Sequence, residues 1–173
     1  MRLPILLAVF AFALCKNSFA AETQTCSSLT ENQRQIILSL ADPANFVKTH
    51  YKKGPRYGRN IEKEADCSSF VHEIYKRAGI PFSFQNSSNL KYAPEFTEIP
   101  EEEAAPGDLM LFHGHVGIVA DDGEIISATH NRKKRNISSA ASAIKKLDRR
   151  FFKGKRIALR YSCNRNTMAK LKP

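Results

Sequence analysis

The chain predicts an α+β fold, with helices first and an antiparallel sheet after them. Three observations carry that prediction. Two stretches of helical periodicity lie in the first half, after an apolar leader. Three short apolar runs separated by turn residues crowd together between residues 108 and 129. No internal repeat or second domain boundary interrupts the order, so residues 21–173 are expected to form a single domain with a basic C-terminal region.

Taken in order, Met1 to about Ala20 has the form of a signal peptide. Arg2 supplies the charge, Leu3–Leu14 the apolar stretch, and Ser18-Phe19-Ala20 the small residues that a signal peptidase reads. The stretch falls short of the roughly 20 residues a membrane-spanning helix needs, so export without a transmembrane anchor is expected, to the periplasm or the medium. Thr30-Glu31-Asn32-Gln33 fits a capping box, and Ile36, Ile37 and Leu40 follow at helical spacing, which predicts a helix over 30–41. Asp42-Pro43 either ends it or caps a short second one through Val47. The polar stretch 50–65, with Gly54-Pro55 and Gly58, is expected to be loop. Asp66 caps the next helix, whose apolar face is Phe70, Val71, Ile74, Tyr75 and Ala78, and Gly79 stops it. Residues 80–105 look irregular. Strands are expected at 108–112, 115–120 and 124–129, with a last one over 156–161.

Export gives the cysteines meaning. With the leader removed, Cys26, Cys67 and Cys163 remain. Cys26 and Cys163 lie near the two ends and could pair in an oxidising compartment, which leaves Cys67 as the odd and reactive thiol. Charge is lopsided: residues 131–173 hold 15 Lys and Arg against one acid, whereas residues 21–130 hold 10 basic and 16 acidic side chains. Such a tail suits anionic cell-wall polymers. Phe151-Phe152 inside the basic run has the look of a single-strand stacking platform, but nucleic acid is a poor partner for an exported chain, and those rings are expected on the core.

The chemistry centres on two residues. Cys67 is predicted in the first turn of a helix, where the dipole favours a thiolate, and small polar residues flank it. His115 is predicted to start a later strand, where an imidazole can serve as base. His113 shares its parity, and with Cys67 the two could form a Cys/His/His set. The paired spacings of zinc sites are absent, however, and Gly114 marks a turn, so no metal and no cofactor is expected. His72 is expected at the surface. His50 and His130 fall in loops.

In order, Asp66-Cys67-Ser68-Ser69-Phe70, Pro106-Gly107-Asp108-Leu109, Gly114-His115-Val116-Gly117-Ile118 and Ile125-Ile126-Ser127-Ala128 resemble the motifs of the NlpC-type cysteine peptidases, over about residues 44–130. The resemblance implies a papain-like fold with the nucleophile helix packed on a central antiparallel sheet. It also implies cleavage of peptidoglycan stem peptides, typically between D-glutamate and a diamino acid. Cys67 would then be the nucleophile and His115 the general base. Tyr57, in Arg56-Tyr57-Gly58, matches a tyrosine that the family keeps beside its site. It would join Ser68 and the main chain at the helix start in holding the oxyanion or substrate, and Ser87 and Ser88 could line the substrate groove. The chain departs from the family where a histidine usually orients the base. Ser127 stands there, with His130 three residues on as the alternative. Asp-Cys-Ser-Ser for Asp-Cys-Ser-Gly is a milder departure, and the Trp-Gly-Gly often found after the tyrosine is missing. Two other readings stay open: a weak or inactive domain that binds cell wall as an adaptor, and a CHAP-type Cys/His amidase.

Overall fold

A computed structural model describes residues 28–54, 60–130 and 142–162. Helix α1 (Glu31–Ala41) begins at the expected capping box, in which Thr30 accepts from Gln33 N and the Gln33 side chain accepts from Thr30 N at 2.9 Å. Asp42 both ends α1 and caps a short 3₁₀ turn, Pro43–Phe46. The stretch expected to be loop carries a small parallel ladder, β1 (His50–Tyr51) with β2 (Glu64–Ala65). Helix α2 (Cys67–Arg77) follows directly, buries Phe70, Val71, Ile74 and Tyr75, and gives way to Gly79 in the left-handed region at φ 74°. Each of those large side chains contributes roughly 1.5–3 kcal/mol through burial.

The remaining strands are β3 (Phe96–Ile99), β4 (Leu109–Phe112), β5 (His115–Val119), β6 (Ile125–Ala128), β7 (Ile144–Leu147) and β8 (Ile157–Tyr161). They form one antiparallel sheet in the order β3-β8-β4-β5-β6-β7. Helix α2 lies across β5 and β6, and α1 packs on α2. The main core fills the space under α2, while Met110, Phe112, Val119, Ile125 and Ala158 form a second cluster on the opposite face of the sheet. The architecture is α+β, as predicted.

Three local expectations are corrected. Residues 80–105 are not irregular throughout, since β3 pairs with β8 between Pro94 and Pro100. Part of the basic segment is a strand, β7, whose Ile144 is buried while Lys145 is half-buried and Lys146 exposed. His72 is not at the surface: it is buried, its Nε2 bonds to the Phe82 carbonyl at 3.1 Å, and its ring meets Phe82 and Phe84 edge-on.

Pro106-Gly107-Asp108 is a structural joint. Gly107 has φ +82°, a left-handed conformation that favours glycine, and a Cβ there would only touch Arg34 at ordinary contact distance. Asp108 is fully buried. Arg34 of α1 donates to its Oδ1 at 2.9 Å, and Arg160 of β8 donates to its Oδ2 through two nitrogens at 3.1 and 2.9 Å. The Ala105 N–H adds a fourth bond at 3.0 Å. One carboxylate thus ties the first helix to the middle of the sheet.

Candidate active site

Cys67 is the first residue of α2, 6% exposed, and Asp66 is the N-cap. Asp66 accepts from Ser69 N at 2.8 Å, and the Ser69 hydroxyl oxygen accepts from Asp66 N at 3.0 Å. Ser69, one of the departures from the family pattern, therefore closes a capping box that glycine could not close. Burial pushes the Cys67 thiol above its ordinary value, and the neighbouring Asp66 charge adds to that. Main-chain hydrogen bonding from Val116 and Ser68, and the Ser68 hydroxyl at 3.9 Å, pull the other way. The Val116 interaction puts the sulfur close to the main chain of the residue after His115.

His115 opens β5 opposite Phe112. Its Nε2 lies 2.9 Å from Ser127 Oγ on β6, and Ser127, which is fully buried, donates its one hydroxyl hydrogen to the Val116 carbonyl at 2.6 Å. Toward His115 the serine can therefore only accept, so Nε2 carries the imidazole proton and Nδ1 keeps its lone pair. Burial holds the imidazole pKa at about 4, so the ring is neutral at ordinary pH. Ser127 thus holds the imidazole as an acceptor without bringing a charge.

Gly117 makes this contact possible. A Cβ at Gly117 would come within 2.3 Å of Ile125 Cγ2 and 3.1 Å of Ser127 Cβ, so the missing side chain is what lets β6 bring Ser127 alongside β5. His130, the alternative orienting group, is exposed just beyond β6, with its ring edge-on to Tyr51 at 5.6 Å. His113 is exposed on the two-residue turn between β4 and β5, with Gly114 at φ 68°.

Ser87 and Ser88 line a groove of about 500 Å³ together with Lys91, His113, Gly114 and Lys155. The groove ends at the turn that leads into His115, and Cys67 is not among its lining residues. Tyr57, Cys26 and Cys163 lie outside the described residues, as does the segment Arg132-Lys133-Lys134-Arg135. Among the described residues Cys67 is the free cysteine, and no cluster of three His, Cys, Asp or Glu could hold a metal ion.

Sequence reasoning missed one contact at the site. Phe152 stacks on the His115 ring at 4.8 Å and 21°, and on Phe112 at 4.3 Å and 25°. Of the Phe151-Phe152 pair, only the second packs inward; Phe151 is 64% exposed. No local signal links a ring at 152 to a histidine at 115. Only the topology does so, because β7 returns beside β6 before the chain turns back.

The site thus combines a buried thiol at a helix start, close to the Val116 main chain, with a neutral imidazole on the preceding residue whose tautomer is fixed by a one-way acceptor. Comparisons with known proteins bear on the family and the fold. Two relatives, the probable endopeptidases p60 of Listeria innocua serovar 6a and Listeria monocytogenes serovar 1/2a, are each 36% identical over 93 residues, about half of this chain (51%) and 19% of theirs. The probable endopeptidase p60 of Listeria grayi is 34% identical over 90 residues and is covered to 17%. The chain thus spans less than a fifth of the length of the curated relatives it matches. A crystal structure of an NLP/P60-family protein from Staphylococcus aureus, described as similar to lipoprotein, superposes with a TM-score of 0.54 at 19% identity, covering 82% of this chain and 45% of that one, which establishes the shared fold. A family model matches residues 49–154, more than half of the 173 residues, and the chain belongs to the NlpC/P60 family.

Proposed function

We propose that the protein is an exported cysteine peptidase that hydrolyses amide bonds in peptidoglycan stem peptides. The observation that carries this reading is a Cys67 buried in the first turn of α2, together with a His115 whose Nε2–H is held by Ser127. Family membership and the p60 relatives support the substrate class.

Cys67 attacks the amide carbonyl carbon while its proton passes to His115 Nδ1, and the carbonyl oxygen takes the negative charge. Main-chain N–H groups at the start of α2, around Ser68, face the sulfur and suit that oxyanion, with Tyr57 as a further donor. The imidazolium then protonates the departing amine, leaving a thioester, and water activated by the same imidazole releases the acid and restores the thiol. Between D-glutamate and a diamino acid is the bond the family pattern favours. The basic C-terminal region suits the anionic polymers around such a substrate, and retention on isolated sacculi should weaken as ionic strength rises.

Digestion of purified peptidoglycan by the native protein and by Cys67→Ala, with products read by mass spectrometry, tests the reading. New fragments from the native protein alone are expected, and their masses identify the bond. The raised Cys67 thiol favours one competitor, a silent wall-binding adaptor. Binding without release by either protein would favour that adaptor over the peptidase.

A further inference from the structure

Resting on the peptidase reading, we infer that Phe152 is a positioning residue for the base: its ring caps one face of the His115 imidazole, fixes the tilt of that ring and keeps water off it. Ser127 holds one edge of the imidazole through Nε2 at 2.9 Å, but a single bond at an edge leaves the ring free to rock about that contact. The Phe152 ring removes this freedom because it lies nearly parallel to the imidazole, 21° away at 4.8 Å.

Phe152 is itself held. Its other stacking partner is Phe112, the residue paired with His115 across the β4–β5 hairpin. The 3₁₀ turn that presents it, Arg149–Phe151, is capped by Asp148, which accepts from Arg150 N at 2.7 Å. The Arg149 guanidinium donates to the Gly123 carbonyl in the β5–β6 turn, anchoring the segment to the two strands that carry His115 and Ser127. Phe152 N–H bonds back to the Arg149 carbonyl at 3.1 Å.

The surroundings of the imidazole support a role in desolvation. Phe112 from β4, Ser127 from β6 and Phe152 from the segment after β7 lie against it. Burial is the cause of its lowered pKa, with no charged side chain among the described residues contributing. The ring stacked on it comes from a segment whose composition is strongly basic, and it turns inward while its neighbour Phe151 stays exposed.

The test is an NMR titration of the His115 imidazole in the native protein, Phe152→Ala, Phe152→Leu, Phe152→Tyr and Phe151→Ala, with hydrolysis followed in parallel. Phe152→Ala is expected to raise the His115 pKa by about one unit or more toward its ordinary value, because water gains access to the ring. Phe152→Leu keeps the apolar cover without the flat face and should fall between. Phe152→Tyr and Phe151→Ala should titrate like the native protein. In hydrolysis, Phe152→Ala should lower kcat by roughly tenfold to a hundredfold, move the acid limb of the pH profile upward with the titration, and leave KM little changed. If Phe152→Ala does not fold, the difference between the leucine and tyrosine variants decides. A His115 titration that is the same in all variants would overturn the inference. Because the titration needs no turnover, absence of hydrolysis from the native protein would count against the peptidase reading alone.

Discussion

Two buried polar clusters share this sheet and handle charge in opposite ways. At the joint between α1, β4 and β8, the Asp108 carboxylate is fully enclosed and receives two guanidinium groups and a main-chain N–H. Where α2 meets β5 and β6, Cys67 and His115 are also withdrawn from water, but no opposite charge accompanies them, and burial drives each toward its neutral form. The first cluster keeps its charge by pairing and holds the fold. The second gives up charge at rest, so that a proton can move when an electrophile arrives. Burial alone therefore does not mark a working site. The distinguishing feature is burial without a counter-charge, combined with a lone pair left free by directed hydrogen bonds.

The largest expected effect separates the clusters by stability. Asp108→Ala strands two arginines in partly buried surroundings and should cost about 3–5 kcal/mol in denaturant unfolding, whereas Cys67→Ala should leave stability within about 1 kcal/mol. Equal losses would erase the contrast. Next comes acid sensitivity. The folded His115 value, about 4, lies below the ordinary 6.5, so the unfolded chain takes up the proton first as pH falls. Stability from this residue is complete above about pH 6.5 and is lost on the way down to about pH 4, by up to about 3 kcal/mol. His72 is shifted in the same direction by burial, so the clean measurement is the difference between native protein and His115→Gln, whose acid slope should be shallower. The smallest effect concerns Ser127. Its removal deletes one hydrogen bond that orients the base, and Ser127→Ala should reduce kcat roughly ten- to a hundredfold with KM little changed. A fall in KM alone, or no change, would show that the serine does not orient the base.

Much of this was legible in the chain, and the gaps have physical causes. Thr30 and Asp66 announced their helices through capping chemistry that is local, so both starts could be read directly. The places of Cys67 and His115 were legible because each opens a strongly patterned element, whereas Ser127 stood out only through the family resemblance, with His130 left open beside it. Strand β3 was hidden because prolines bracket its four residues, and its ladder partner lies about sixty residues later. Strand β7 was hidden because Ile144 and Leu147, three residues apart with two lysines between them, show no strand alternation. His72 lies beside the apolar face of α2, and the rings that cover it come from Phe82 and Phe84, beyond the helix, where periodicity carries no information. Asp108 was legible as part of a motif but not as an ion-pair centre, since its partners at Arg34 and Arg160 come from opposite ends of the described chain.

The contrast between the clusters rests on Cys67 and His115 being neutral together at rest, and the pH dependence of Cys67 alkylation measures that directly. The expected rate stays low between about pH 5 and 7 and climbs only above the ordinary thiol range of about 8.5, with no acid plateau. A fast, level rate from about pH 5 upward would reveal a thiolate–imidazolium pair. The second cluster would then hold charge by pairing, as the first does, and the account would be wrong.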